Sequence, residues 1–204
     1  EEFGRPIADH GITLVPGDCV YVDLNADGEI NSNDATRDIG YTDMPEYTAG
    51  LNTGFSWKNF DFSMQWTGAW NADRMLDEFR RPLGDTNEKG LLLYQYDTTW
   101  RSSADTFTAK FPRTSSLHAS NNYAGSDLYL VNASYLRLKS IEIGYNFNFP
   151  FMKKLKMDNC RLYVNGYNLV TITGFKWGDP ESRQSSRPNY PLTRVFNIGL
   201  KLGF

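Results

Sequence analysis

Charge is missing from this sequence where an ordinary soluble sheet would carry it. Five segments alternate with period two, at 47–57, 60–70, 140–149, 162–173 and 195–204, the spacing that sends successive side chains to opposite faces of a strand. They hold 54 residues, and their only charged ones are Asp61, Glu142 and Lys201. At the chain-wide 22% about 12 would be expected. The last segment sets Phe196, Ile198, Leu200, Leu202 and Phe204 against Val195, Asn197, Gly199, Lys201 and Gly203, and the second sets Phe60, Phe62, Met64, Trp66 and Trp70 against Asp61, Ser63, Gln65, Thr67 and Ala69. A soluble half-buried sheet places Lys, Glu and Arg on its wet face. Here that face is Gly, Ser, Asn, Thr and Gln, which suits a polar lumen, while the large apolar face suits lipid bordered by aromatic girdles. The segment lengths match the roughly 9 to 11 residues of a tilted membrane-crossing strand. The fold class expected is therefore all-β, from an antiparallel transmembrane β-barrel with long extracellular loops. Leu136 and Leu138 have the opposite parity to Ile141 and Ile143, which predicts a bulge, or emergence from the membrane, near the start of that strand.

Composition removes other classes. Twenty-one Lys plus Arg against 24 Asp plus Glu give a net charge of −3, too near balance for the basic field that nucleic acid selects. No apolar run reaches the roughly 18 residues of a spanning helix, and mean hydropathy is −0.51. Neither fact bears on a barrel, whose alternating strands average to polar hydropathy. Cys19 and Cys160 are too few and too far apart in sequence to predict a disulfide framework or a zinc site.

Connection lengths supply a parity test. Lys58-Asn59 is a short hairpin, 71–127 a long connection, 150–159 a shorter one with Lys153, Lys154 and Lys156, and 174–194 a long one again. Short turns on one side and long loops on the other are the habit of outer-membrane barrels. The alternation places Phe204 on the periplasmic side, and residues 1–46 form an extracellular loop region ahead of strands in 47–204. Five strands cannot close such a barrel, so the chain is expected to be the carboxyl-terminal part of a larger one, with Phe204 as an assembly signal.

Residues 23–34 place Asp23, Asn25, Asp27, Gly28, Glu29, Ile30, Asn31 and Asp34 on positions 1, 3, 5, 6, 7, 8, 9 and 12 of a calcium loop. Oxygen ligands at alternate positions converge only if the chain turns sharply at position 6, where glycine adopts positive φ. The expected metal ligands are Asp23, Asn25, Asp27, the Glu29 carbonyl, Asn31 (directly or through water) and Asp34. The ion is Ca2+ in a structural role, because no amphipathic helices flank the loop. The competing reading is a solvated acidic turn.

Several motifs resemble one family in order along the chain. They are Val15-Pro16-Gly17-Asp18, Tyr21 through Asp34 with Ile39-Gly40, Gly54 through Phe62, Ala133 through Ile141, and Arg161 through Leu169 running into Gly178-Asp179-Pro180-Glu181. Together they resemble the carboxyl-terminal part of SusC/RagA-type TonB-linked outer-membrane transporters. The resemblance implies a 22-stranded barrel in the bacterial outer membrane, filled by an amino-terminal plug. It also implies import of glycans or peptides with a SusD-like surface lipoprotein and energy from TonB. The remainder of the barrel, the plug, an oligosaccharide or peptide substrate and outer-membrane lipid are the partners expected, and no nucleic acid. Cys19 and Cys160 are not part of that pattern.

Enzyme signatures are absent: the sequence has no GxSxG, HExxH or GxxxxGK[ST]. His10 and His118 lack an adjacent nucleophile with an acidic partner, Asp73 with Asp77 and Asp179 with Glu181 read as solvated loop charge, and Asn132-Ala133-Ser134 as an idle sequon. Tyr94, Tyr96, Trp100, Trp177 and Tyr190 read as loop aromatics that pack on their own loops more readily than on substrate. The alternative function is a secreted, calcium-stabilised, carbohydrate-binding β-sandwich, which calls for a charged wet face that the sequence does not supply. A barrel enzyme is a weaker third.

Overall fold

Two strands joined by a two-residue turn begin the principal sheet, β1 (Tyr47–Trp57) and β2 (Phe60–Trp70). Their register pairs Trp57 with Phe60 and Tyr47 with Trp70 without interruption. The turn is made by Lys58, at a left-handed φ of 54°, and its ammonium lies 4.8 Å from the Trp57 ring centroid. The computed structural model describes residues 7–77, 79–80, 92–148, 150, 156–182 and 192–204. Phe149, Lys153, Lys154 and Tyr190 lie outside the described residues.

Two short strands, β3 (Asp73–Met75) and β4 (Leu130–Asn132), pair with each other apart from that sheet. Three further long strands complete it: β5 (Tyr135–Phe147), β6 (Asn159–Thr173) and β7 (Val195–Gly203). Its order is β1-β2-β5-β6-β7, and every pairing is antiparallel. The long strands fall where the alternating segments predict them, with β5 and β6 starting earlier.

The parity break at Leu136 and Leu138 is a bulge. Register slips between Gln65 and Trp66 on one side of β5 and between Leu138 and Ser140 on the other. The extra residue, Lys139, returns Leu138 and Leu136 to the face of Trp66. On β6, Asn168 takes φ 53°, and Val170 and Ile172 pair with Leu138 and Leu136.

One face of the sheet is thus apolar from edge to edge and lies uncovered. Leu51 is 59% exposed, Ile172 59%, Phe196 71% and Ile198 78%. A monomeric soluble domain rarely leaves so long an apolar row open to water. The opposite face carries Asn52, Ser63, Gln65, Asn165, Asn197 and the few charges. Among the described residues no helix is long and apolar enough to cross a membrane.

The chain divides into two units, Glu1–Gly40 with Met75–Val131, and Tyr41–Arg74 with Asn132–Phe204. The second holds the sheet. The first has an aromatic core in which Phe79 stacks on Phe111 at 5.4 Å, Phe111 on Tyr129 at 6.0 Å, and Tyr94 meets Phe111 edge-on at 6.1 Å. Such pairs contribute about 0.5–1.5 kcal/mol each beyond burial. Helices α1 (Leu93–Thr98) and α2 (Ala119–Asn122) frame this core. Tyr94 therefore packs within its own loop region.

Candidate functional site

The acidic loop folds around its first and last carboxylates. Asp23 accepts hydrogen bonds from the Ala26 and Gly28 amides at 2.6 and 2.8 Å. Asp34 accepts from the Leu24 and Asn31 amides at 2.9 and 2.8 Å. Gly28 has φ 88°, the left-handed turn that the sixth position requires. Asp27 accepts from the Glu29 amide at 2.9 Å and from the Asn25 side chain at 2.8 Å, and Asn31 accepts from Asn33 at 2.8 Å. The donors are all oxygen, as a hard cation demands. The structure closes the loop through Asp23 and Asp34 and leaves Asp27 paired to Asn25. Among the described residues no three Asp, Glu, His or Cys side chains form a ready ligand cluster. The Asn31 and Leu24 amides flanking Asp34, the former the stronger influence, hold its carboxyl below the usual carboxylate range.

A second segment fastens this loop at its middle and just ahead of its start. The Asp9 amide donates to the Gly28 carbonyl at 2.8 Å, and the Ile30 amide donates to the Asp9 carbonyl at 2.7 Å. His10 accepts the Tyr21 amide on Nε2 at 2.9 Å and bonds the Ala8 carbonyl through Nδ1 at 2.8 Å, a pairing that assigns the proton to Nδ1. Tyr21 donates its hydroxyl to the Asn121 carbonyl at 2.7 Å. His10 is thus a structural connector.

Asp18, in the Val15-Pro16-Gly17-Asp18 run, is a hub that sequence alone gave no means to find. Its side chain is 1% exposed. It accepts from Arg113 Nε at 2.6 Å, His118 Nδ1 at 2.6 Å, Asn122 Nδ2 at 2.9 Å and the Val15 amide at 3.0 Å. Burial alone would raise its pKa, but the four donors outweigh it and hold the carboxyl far below the usual range. His118 is committed to this hub. Burial pushes the neighbouring Cys19 thiol up to about 11, away from thiolate chemistry. Cys19 and Cys160 are both free.

On the polar face of the sheet, Asp61 and Glu142, two of the three charges in the alternating segments, share one partner, Arg161 of β6. Arg161 ion-pairs with Asp61 and lies 2.7 Å from Glu142. Asn146 and Asn165 donate to the same two carboxylates at 3.3 and 3.1 Å. The register places Arg161 opposite Asn146, and Gly144 opposite Asp61 and Tyr163. Gly144 gives the room: a Cβ there would stand 2.6 Å from both Arg161 Nε and Asp61 Oδ2.

At the other end of that face sits Arg137, 2% exposed. It donates to Asp179 and Glu181 at 2.7 Å each and to Thr171 Oγ1 at 3.1 Å. Two expectations need correction. Asp179 and Glu181 are anchors of a buried guanidinium, because β5 and the segment after β6 meet in space. Asp73, 9% exposed, accepts from the Tyr41 amide and Asn132 Nδ2, and Asp77 pairs with Arg80 at 2.7 Å. Neither is solvated loop charge. The Asn132 amide is engaged with Asp73, at 3.2 Å. Trp100 packs over Gly17, Tyr96 lies under Arg101 at 4.8 Å, and Trp177 also has a packing or polar partner.

Known proteins resemble this chain along nearly all of its length. It is 30% identical over 206 aligned positions to the TonB-dependent receptor P3 of Formosa agariphila, an alignment covering 93% of this chain and 19% of the relative. It is 28% identical to the TonB-dependent receptor SusC of Bacteroides thetaiotaomicron, over 100% of this chain and 18% of the relative. The chain therefore spans about a fifth of the length of these relatives. Among solved structures, the RagAB peptide importer superposes with a TM-score of 0.63 in both its open-open and closed-closed states. The identities are 22% and 24%, covering 87% and 93% of this chain and 19% and 21% of the other. No family model matches the chain.

Proposed function

Starting from a chain that belongs to the SusC/RagA-type TonB-linked transporters, as a segment of their barrel, we propose that it forms outer-membrane wall and extracellular loops of an importer. The observation that carries this reading is the uncovered apolar face of the sheet, backed by a face of Asn, Gln, Ser and Gly. The apolar rows of β1, β2, β5, β6 and β7 meet lipid, and the polar face meets the lumen. The edges of β1 and β7 continue into neighbouring strands, since an unpaired edge in lipid costs several kcal/mol per backbone group. The complete protein imports glycans or peptides, with a SusD-like lipoprotein at the surface and TonB supplying energy. A soluble β-sandwich would bury the apolar face under a second sheet; among the described residues no such sheet covers it.

The acidic loop holds a structural Ca2+ through Asp23, Asn25, Asp27, the Glu29 carbonyl, Asn31 and Asp34. Support comes from the left-handed Gly28, the all-oxygen donor set and the amides already turned onto Asp23 and Asp34. The cation would neutralise carboxylates that otherwise repel one another.

The barrel reading is tested by extracting the full-length parent in detergent and comparing boiled with unboiled samples on a denaturing gel. A folded barrel migrates differently before boiling. Equal migration, or release into buffer without detergent, would overturn it.

A further inference from the structure

Residues 174–182, which leave β6 and are all described, do not run away from the sheet. They fold back over its polar face at the end bearing Arg137, and the side chains of Arg74, Arg137 and Lys139 hold them there. Phe175 is 5% exposed and lies beneath Arg74, whose guanidinium carbon is 5.4 Å from the ring centroid. Arg74 Nη1 donates to the Asp179 carbonyl at 3.1 Å. Arg137 grips both carboxylates of the segment while lying 5.2 Å from the Tyr135 ring, and Lys139 stands 3.7 Å from Glu181. Within the segment, the Glu181 amide donates to Asp179 Oδ1 at 2.9 Å and the Ser182 amide to the Asp179 carbonyl at 3.1 Å. The anchors come from two elements, the β3 residue Arg74 and the β5 residues Arg137 and Lys139, and Thr171 of β6 accepts from Arg137 beside them.

The wall beside Arg137 is itself shielded at this end. Thr67 stands opposite Arg137 in the register, and its hydroxyl is shielded from solvent with no hydrogen-bond partner. Ala69, two residues on along the same face, is 4% exposed. Ser63, further along that face, is exposed.

We propose that residues 174–182 are a strap closed across the polar face by Arg137, which shuts that end of the wall from solutes until the Asp179 and Glu181 contacts are broken. The inference rests on the polar face being the lumenal one. A guanidinium fork fixes both carboxylates in one geometry, which a lysine point charge does not. Glu181 is 45% exposed and Asp179 11%, so the Glu181 contact is the one that breaks first. Arg137, nearly sealed from water, holds Asp179 longer.

The test uses the full-length parent with every native cysteine, Cys19 and Cys160 among them, changed to Ser. Thr67→Cys reports solvent access under the strap, and Lys176→Cys, at an exposed strap position, serves as a reference. Each is labelled in intact cells with a membrane-impermeant maleimide. The double change Asp179→Ala with Glu181→Ala leaves Arg137 in place. It is expected to speed labelling of the thiol at position 67 at least tenfold, while the rate at position 176 stays within twofold. Arg137→Met should act in the same direction, and Arg137→Lys should fall between. Hydrogen exchange of the 175–182 amides gives a second readout, faster in the double variant. Unchanged labelling and exchange in the double variant would overturn the strap. Loss of the boiled-versus-unboiled gel shift in the cysteine-free parent would instead strike at the barrel reading, so the two failures are distinguishable.

Discussion

Adding one methyl group at Gly199 should damage the sheet, whereas the same change at Gly50 should not. Both glycines lie in strands on the polar face, Gly50 opposite Thr67 and Gly199 opposite Tyr163. At Gly50 the nearest atom to a new Cβ is the Trp66 carbonyl oxygen, 3.8 Å away, an ordinary contact. At Gly199 the Cβ would stand 2.6 Å from Tyr163 Cε1 and closer still to Cζ and the hydroxyl. The ring must leave the glycine or the strands must part, an overpacking cost of about 1–3 kcal/mol. Against this stands the loss of unfolded-chain entropy on replacing Gly by Ala, about 0.4–1 kcal/mol of stabilisation wherever the new methyl is tolerated. The balance gives Gly50→Ala neutral to stabilising by about 0.5 kcal/mol and Gly199→Ala destabilising by about 1–2 kcal/mol. The assay is urea unfolding of the parent barrel in detergent, read as the folded fraction on unboiled gels. Tyr163→Ser should relieve Gly199→Ala in the double variant, since the three nearest atoms all belong to that side chain. Equal effects of Gly50→Ala and Gly199→Ala, or no relief by Tyr163→Ser, would refute the placement of the Tyr163 ring and with it the β6–β7 register.

Arg161→Met leaves Asp61 and Glu142 facing each other without a cation, and should lower stability by about 1–3 kcal/mol in the same assay; Asp61→Asn in that background should recover part of the loss. The Asp18 carboxyl is held below its unfolded value, so its contribution to stability is present above about pH 4 and is lost as pH falls through that value toward its folded pKa. Asp18→Asn should therefore lower stability at neutral pH and flatten its decline on acidification, measured as the urea midpoint across pH 3–7. Removing Ca2+ with a chelator should speed amide exchange at Asp9 and Ile30, the two amides that fasten the loop, and Asp27→Ala should abolish Ca2+ uptake by the stripped parent in a calorimetric titration.

The strands were legible because their signal is local. Alternation over 10 or more residues marks β1, β2 and β7 directly, and the parity of Leu136 and Leu138 against Ile141 foretells the bulge at Lys139. The calcium-type spacing and the glycine at its sixth position are equally local. What escaped depends on register between distant strands. Arg161 finds Asp61 100 residues away, and Arg137 finds Asp179 and Glu181 across 42 and 44 residues, distances at which spacing carries no information. Asp18 escaped for the same reason, its partners Arg113, His118 and Asn122 lying 95 to 104 residues on. Helices α1 and α2, of 6 and 4 residues, are too short for a 3.6-residue period to register.

In the proposed function one face of this sheet meets lipid and the other the lumen. Single cysteines placed in turn at residues 195 to 202 of β7, Gly199 left as it is, in the full-length parent with every native cysteine changed to Ser, can be labelled with a fluorophore and exposed to a lipid-borne quencher in reconstituted bilayers. Quenching should alternate with period two, strong at 196, 198, 200 and 202, whose native residues Phe196, Ile198, Leu200 and Leu202 lie exposed on the apolar face. It should be weak at 195, 197 and 201. Uniform quenching along the strand, or strong quenching at the second set, would contradict the account.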